Sequence, residues 1–237
     1  MNNSFIESLE ELFEKNGISY NEDSLFKLNI YKDFLIEYNQ KVNLTAIKEP
    51  EQIAVKHFLD SAMILKYFAI EKGAKIIDIG TGAGFPGVVL KILRDDLDIT
   101  LLDSLNKRTI FLQKLCDKLD IKANIQNQRA EECRKNGLAS SYDVVVSRAV
   151  AGLNILLELS LPYLKPGGFF IAMKGADYKD ELSVCDNCLN VLKSKVEEVK
   201  EFKLEDDYTR ALIKIRNIGK ISEKYPRIYA KIKKRPL

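Results

Sequence analysis

Apolar positions follow two different rhythms along this chain. Over residues 4–15 and 22–40 they recur at helical spacing, and Leu25, Leu28, Tyr31 and Leu35 share one face. Residues 51–70 repeat the helical pattern behind Pro50, a residue suited to a first helical turn. From residue 75 the rhythm changes. "AKIIDIG", "DITLLDS", the weaker "ANIQNQR", the β-branched "YDVVVSRAV" and "FFIAMKG" read as five strands. Between them "VVLKILRDD", "NKRTIFLQKLCDKLD" and "LNILLELSLPYL" read as helices, the last closed by "KPGG". Continuous apolar strands alternating with helices predict a parallel sheet covered on both faces. After a helix predicted near 179–194, "VEEVKEFKL" and "TRALIKIRN" are separated only by "EDDY". So short a link cannot carry a parallel crossover, and it predicts an antiparallel hairpin. The expected organisation is an α/β chain. A helical extension over residues 1–72 packs on a mostly parallel seven-stranded domain over 73–218, and a tail follows over 219–237.

The loop after the first predicted strand, "IIDIGTGAGFPG", has glycine at 80, 82, 84 and 87. Gly82, Gly84 and Gly87 alone satisfy G-x-G-x-x-G, which permits a pyrophosphate or another nucleotide-like ligand. In an open α/β sheet such a loop lies at the carboxyl end of the strands, where ligands bind. The start of the next helix, near Gly87, is expected to offer free N–H groups. Asp78 faces a pyrophosphate unfavourably but suits a cationic ammonium, such as the one in S-adenosylmethionine. Asp103, 19 positions after Gly84, stands where a carboxylate accepts hydrogen bonds from a ribose diol. NAD and S-adenosylmethionine share that feature. Pro86 is foreign to the dinucleotide fingerprint, and a two-halved dinucleotide sheet would end on further parallel strands. Together these features predict the Rossmann-like class I S-adenosylmethionine-dependent methyltransferase fold. An NAD-dependent oxidoreductase is the alternative that the glycine loop alone permits.

Composition narrows the classes. Hydrophobic residues at 46% and charged residues at 30% are ordinary for a chain that buries a core. No apolar run reaches the ~18 residues of a membrane span. The N-terminus has neither a basic region nor an apolar one and reads as an amphipathic helix rather than a signal peptide. Four cysteines in 237 residues do not suggest a disulfide scaffold, and a cytoplasmic location is expected. "CDNC" at 185–188 lacks the second pair of ligands zinc needs, so no metal is expected. The net charge of +3 is uneven: residues 1–72 carry −4 and residues 218–237 carry +6. A basic tail suits an anionic partner such as nucleic acid, and equally a solvated end that aids solubility.

"DIGTGAGFPG", "LLDSLNKR", "VSRAVA", "MKG", the upstream "KVNLTAI" and "HFLDS", and the C-terminal "YPR…PL" resemble the small-subunit rRNA guanine-N7 methyltransferases. That family is also known as glucose-inhibited division protein B, or ribosomal RNA small subunit methyltransferase G. The similarity spans nearly the whole chain in order. It implies methylation of N7 of a guanine in the 530 loop of 16S rRNA, nucleotide 527 in the family, with S-adenosylmethionine as donor. The implied partner is 16S rRNA or the small ribosomal subunit; a monomer is expected. Together with Asp78 and Asp103, the implied donor site takes in Gly80, Thr81, Gly82, Gly84, Phe85, Ser104, Ala130, Glu131 and Arg148. The implied RNA face takes in Asn43, His57, Arg129, Lys174, Arg210 and, in the tail, Lys233 and Lys234. Arg129, Arg148 and Lys174 are the implied catalytic residues. The glycine that often follows "YPR" in relatives is absent here.

Guanine N7 is a neutral lone-pair nucleophile, so the implied reaction needs no general base, and the sequence holds one histidine. Alignment of the reacting atoms is then the main source of rate, worth ~7–11 kcal/mol in favourable cases. Arg129, Arg148, Lys174 and Arg210 are expected to hold phosphates or the guanine O6 edge. The target base must lie in a loop or be splayed out, because the A-form major groove hides N7. Bland roles stand beside these. Phe85 is a pocket wall or loop packing. His57, with Asp60 and Ser61 at i+3 and i+4, is a core or capping residue or a substrate contact. Lys174 is a strand-end surface lysine or an RNA contact. A small-molecule methyltransferase of the same fold and an RNA-binding module without catalysis also remain open.

Overall fold

The computed structural model describes residues 3–148, 151–204 and 208–237. Two helices, α1 (Asn3–Asn16) and α2 (Glu22–Asn39), open the chain. A capping box starts α2: the Asn21 side chain accepts from the Ser24 amide, and the Ser24 hydroxyl accepts from the Asn21 amide. A third helical stretch runs without a break through α3 (Pro50–Ile53), a π-helical turn (Ala54–Leu59) and α4 (Asp60–Tyr67). The π turn contains His57 and ends directly before Asp60. Such turns recur beside functional sites.

Seven strands follow: β1 (Lys75–Ile79), β2 (Asp98–Asp103), β3 (Asn124–Asn127), β4 (Tyr142–Arg148), β5 (Leu164–Lys174), β6 (Ser194–Lys203) and β7 (Thr209–Asn217). Their order in the sheet is β3-β2-β1-β4-β5-β7-β6. All neighbours are parallel except β7, which runs antiparallel to both β5 and β6. This is the mostly parallel seven-stranded sheet with a terminal hairpin that the sequence predicts. β1 lies between β2 and β4, so the strand order switches there and the loop after β1 opens onto a ligand crevice. The remaining helices are α5 (Gly87–Leu93), α6 (Asn106–Leu119), α7 (Leu153–Ser160), α8 (Tyr178–Ser183), α9 (Asp186–Val191) and α10 (Tyr229–Lys234).

Two details differ from expectation. The helix predicted near 179–194 is divided into α8 and α9. "KPGG" is not a helix stop but the start of β5, where the register with β4 shifts between Tyr142 and Val144. The helix before it ends instead in a 3₁₀ turn at Leu161–Tyr163. Most of "EDDY", and the last two residues of "YDVVVSRAV", lie outside the described residues.

Neighbouring strand residues feed two apolar layers, as period-2 geometry demands. Ile76, Leu101, Val144 and Met173 pack with α1, α2 and α4 to α6. Ile77, Leu102, Val145 and Phe170 pack with α7, α9 and the end of the chain. That end is a docked strap. The Arg134 guanidinium donates to the carbonyls of Ile221, Ser222 and Tyr225. Arg227 donates its backbone N–H and its side chain to the fully buried Glu158 carboxylate of α7, at 2.6–3.1 Å. Within the strap, Ile232 of α10 is wholly buried.

Candidate active site

The glycine loop is held from below by one carboxylate. Asp78 is fully buried at the end of β1, and its Oδ2 accepts from the Thr81 hydroxyl at 2.6 Å and the Gly87 amide at 2.8 Å. Its Oδ1 is buried with no hydrogen-bond partner among the described residues. Burial pushes its pKa up to about 6, against the lowering effect of the Thr81 and Gly87 hydrogen bonds and the Arg148 charge. The next amides are engaged as well: Gly84 and Phe85 donate to the Thr81 carbonyl, and Val88 donates to the Gly84 carbonyl. The helix start expected to offer free N–H groups therefore has its first amides tied within the protein. Two of the fingerprint glycines serve packing. A Cβ on Gly87 would lie 2.4 Å from Leu101 Cδ2 and 2.9 Å from Asp78 Oδ2. At Gly84 (φ +101°) it would lie 2.7 Å from the Tyr31 hydroxyl.

Beyond the loop is a cavity of about 410 Å³ lined by Gly80, Asp103, Ser104, Arg129, Ala130 and Glu131, among others. Asp103 is nearly buried and already partnered. It accepts from the Gly82 amide at 3.0 Å, the Leu105 amide at 2.9 Å and Arg108 at 3.1 Å. Arg129, 64% exposed, lies 4.0 Å from Glu131. The implied donor residues Gly80, Asp103, Ser104, Ala130 and Glu131 thus meet around one space. Backbone at Gly80 and the Asp103 and Glu131 carboxylates line a space suited to a nucleoside, and the unpartnered Asp78 oxygen lies buried beneath the loop. A second, smaller cavity of about 190 Å³ is lined by Thr45, His57, Thr81, Gly82, Phe85 and Arg148; Gly80 and Arg108 line both cavities.

Phe85 is 4% exposed. Its ring stacks on Tyr31 at 5.1 Å and on His57 at 4.3 Å, and Arg148 lies 4.8 Å from its centroid. The Tyr31 hydroxyl donates to the Ala83 carbonyl and ties α2 to the loop. His57 Nε2 is 2.9 Å from the Thr45 hydroxyl, and Arg148 reaches Nδ1 at 3.1 Å. The Lys56 carbonyl, which only accepts, lies 3.1 Å from the same Nδ1 that faces the Arg148 guanidinium, which only donates, so the ring is held on that side whichever nitrogen carries the proton. Burial, and then the Arg148 charge, hold the imidazole neutral with a pKa lowered to about 3.

The three cations at the ends of β4, β5 and β7 have carboxylate partners inside the chain. Asp60, 1% exposed, takes a fork from Arg210 at 2.8 and 3.0 Å and a bond from Arg148 at 3.2 Å. Arg148 also donates to the Lys56 carbonyl at 3.0 Å. Lys174 is bound to Glu181 at 2.6 Å and to the Ala151 carbonyl at 2.8 Å. Lys174 and Arg210 line a third cavity, of about 450 Å³, with Gly152, Met173, Gly175 and Glu181. Asn43 is exposed in a loop that Asn39 shapes by binding the Leu44 and Thr45 amides. Lys233 and Lys234 are exposed on α10, away from these cavities.

Sequence reasoning missed Asp60 as the shared anchor, although "HFLDS" was in view. It also missed Asn39, Arg108, Glu181 and Tyr229, which lines the 410 Å³ cavity. Asp60 carried a readable signal, an acid within an apolar helix beside the only histidine. Tyr229 carried none, since only the docked strap brings it near β2.

Residues 24–218 match the family described as GidB, rRNA small subunit methyltransferase G. The chain is 44% identical to ribosomal RNA small subunit methyltransferase G of Lachnoclostridium phytofermentans, over all of this chain and 97% of that one. It is 42% identical to the Clostridium kluyveri protein of the same name, over 98% and 99%. Among solved structures, a SAM dependent methyltransferase from Aquifex aeolicus shares the fold at 16% identity, with a TM-score of 0.53 over 77% of this chain and 98% of that one. Full-length likeness to these relatives, on a class I methyltransferase sheet, means that the chain belongs to the rRNA small subunit methyltransferase G family.

Proposed function

We propose that this protein methylates N7 of a guanine in the 530 loop of 16S rRNA, nucleotide 527 in the family, with S-adenosylmethionine as donor. The carrying observation is the pairing pattern beneath the glycine loop. A pyrophosphate would need the amides at the start of α5, and these are engaged by Asp78, Thr81 and Gly84. A buried carboxylate below the loop opposes a dianion and favours a cation. This supports the methyl donor over NAD.

S-adenosylmethionine supplies an electrophilic methyl group when bound. Gly80 and Gly82 let the backbone approach it, Asp103 is placed to accept from a ribose diol, and Glu131 to accept from the adenine amine. Asp78 Oδ1 is the acceptor suited to an ammonium. His57 is neutral and bonded at both nitrogens, so it holds Arg148 and Thr45 and moves no proton. That suits a nucleophile with no proton to lose. Phe85, stacked between α2 and the π turn, keeps the loop rigid, and rigidity is what alignment catalysis needs. Arg210 and Lys174 line the 450 Å³ cavity together with Asp177 and Glu181, so its wall offers cationic donors within a balanced set of charges. We assign that cavity to the splayed guanine and its phosphates, with Arg129 and Asn43 as outer contacts.

The test uses small-subunit RNA and particles from cells lacking this gene. Incubation with the protein and labelled donor should place label at one guanine in the 530 loop, and scission specific for N7-methylguanine should map it there. Label on another base, or none on RNA or particles, refutes the assignment.

A further inference from the structure

We infer that the C-terminal strap is a wall of the methyl-donor site, with Tyr229 as the residue that contacts the donor's adenosine part. This inference rests on the donor reading given above. Tyr229 lines the 410 Å³ cavity together with Gly80, Asp103, Ala130 and Glu131. Those neighbours come from the β1, β2 and β3 ends; Tyr229 comes from the far end of the chain.

The strap is fixed where this matters. Two residues before Tyr229, Arg227 grips the buried Glu158 of α7 with its backbone and its side chain. Arg134, a few residues after Glu131, clamps three strap carbonyls. Three residues after Tyr229, Ile232 is wholly buried. The ring is therefore carried between fixed points on both sides. The rest of the cavity lining includes Ile79, Leu102 and Leu159. An aromatic face on one wall and aliphatic side chains on others form a slot suited to a flat purine, with Asp103 and Glu131 supplying the polar contacts. The strap thus has two faces: Tyr229 lines the donor cavity, while Lys233 and Lys234 are exposed.

The test measures S-adenosylmethionine binding to the full chain by calorimetry, for wild type, Tyr229→Phe, Tyr229→Ala and Arg227→Ala, with a thermal midpoint for each. Tyr229→Ala should weaken binding by about tenfold, in the range of a lost aromatic–base contact. Tyr229→Phe should stay within about twofold, because the ring and not the hydroxyl makes the wall. Arg227→Ala should weaken binding too, by releasing the strap. In the wild-type chain, S-adenosylmethionine should slow tryptic cleavage at Lys231, Lys233 and Lys234. Equal affinity of wild type and Tyr229→Ala, or strap cleavage indifferent to the donor, overturns this inference and leaves the donor reading standing. A wild-type chain that does not bind S-adenosylmethionine overturns the donor reading, and this inference with it.

Discussion

Two cavities at the strand ends treat charge differently. In the 410 Å³ cavity Asp103 is held by two backbone amides and by Arg108, whose side chain is 32% exposed. In the 450 Å³ cavity Arg210 is held by Asp60, which is almost wholly buried and also holds Arg148. Both carboxylates are buried, but without Arg108 the Asp103 carboxylate keeps two backbone amides, so a part-exposed partner of this kind contributes about 1 kcal/mol or less. A buried pair that loses one member costs about 3–5 kcal/mol, because a charge is left without a partner. The 410 Å³ cavity can therefore give up a protein contact at little cost, whereas the wall of the 450 Å³ cavity is a fixed frame. Cations that look available for RNA in the sequence first hold the fold together.

The sharpest break of this comparison is Asp60→Ala. It leaves two guanidiniums facing each other without their carboxylate and should lower unfolding stability by about 3–5 kcal/mol in urea titrations. Arg108→Ala should cost less than about 1 kcal/mol. Equal losses would erase the distinction between frame and exchangeable contact. Next in size is Gly87→Ala. Its Cβ would press on Leu101 and Asp78, and overpacking of this kind costs about 1–3 kcal/mol. Because the strain lands on Asp78, donor binding should weaken along with stability; loss of stability alone would detach Asp78 from the donor.

A pH series sharpens the same contrast. Burial raises the Asp78 pKa to about 6, so the folded chain keeps a proton that the unfolded chain has already lost. Its contribution to stability declines as pH rises from about 4 to 6, at up to about 1.4 kcal/mol per unit. His57 has the opposite sign: with its pKa lowered to about 3, its contribution is complete above about 6.5 and is lost as pH falls. The two slopes oppose each other between pH 4 and 6. Asp78→Asn removes the first, so on acidification from pH 6 to 4 the variant should lose stability more steeply than wild type. Urea midpoints at several pH values check this, and parallel curves refute it. The smallest effect expected is at the exposed lysines. Lys233→Ala and Lys234→Ala should each flatten the salt dependence of RNA binding by about 0.7 in log–log slope. An unchanged slope removes them from the RNA face.

The sheet was legible because its strands are continuous apolar runs, such as Val144 to Val146, and because a four-residue link admits only a hairpin. The grouping of Gly80, Asp103, Ala130 and Glu131 around one cavity was legible because these residues lie at fixed offsets from strand ends. The carboxylate partners of Arg148, Lys174 and Arg210 were not legible. Asp60 and Arg210 are 150 residues apart, and no local pattern links them. The charge excess of residues 218–237 was readable, but the docking of that segment was not. It depends on Glu158, the one acidic residue of α7, and on Arg134, both far from the tail in sequence. The glycines show a third kind of limit. Their spacing marks the loop, yet only the packed structure separates Gly84 and Gly87, needed for close packing, from Gly80, which lines the cavity.

Asp60 also sets an order in time. On a ribosome adding about 5–20 residues per second, Arg210 follows Asp60 by about 8–30 seconds. During that interval the first six strands are made, while the carboxylate has at most one of its two guanidiniums. Glu158 waits in the same way for Arg227. Both latches close only when the last segments have emerged, so a half-made chain can have its glycine loop and still lack the frame around it. Such a chain lacks both the Arg210 side of the frame and the strap that Arg227 pins to Glu158, so both cavities are completed only at the end of synthesis.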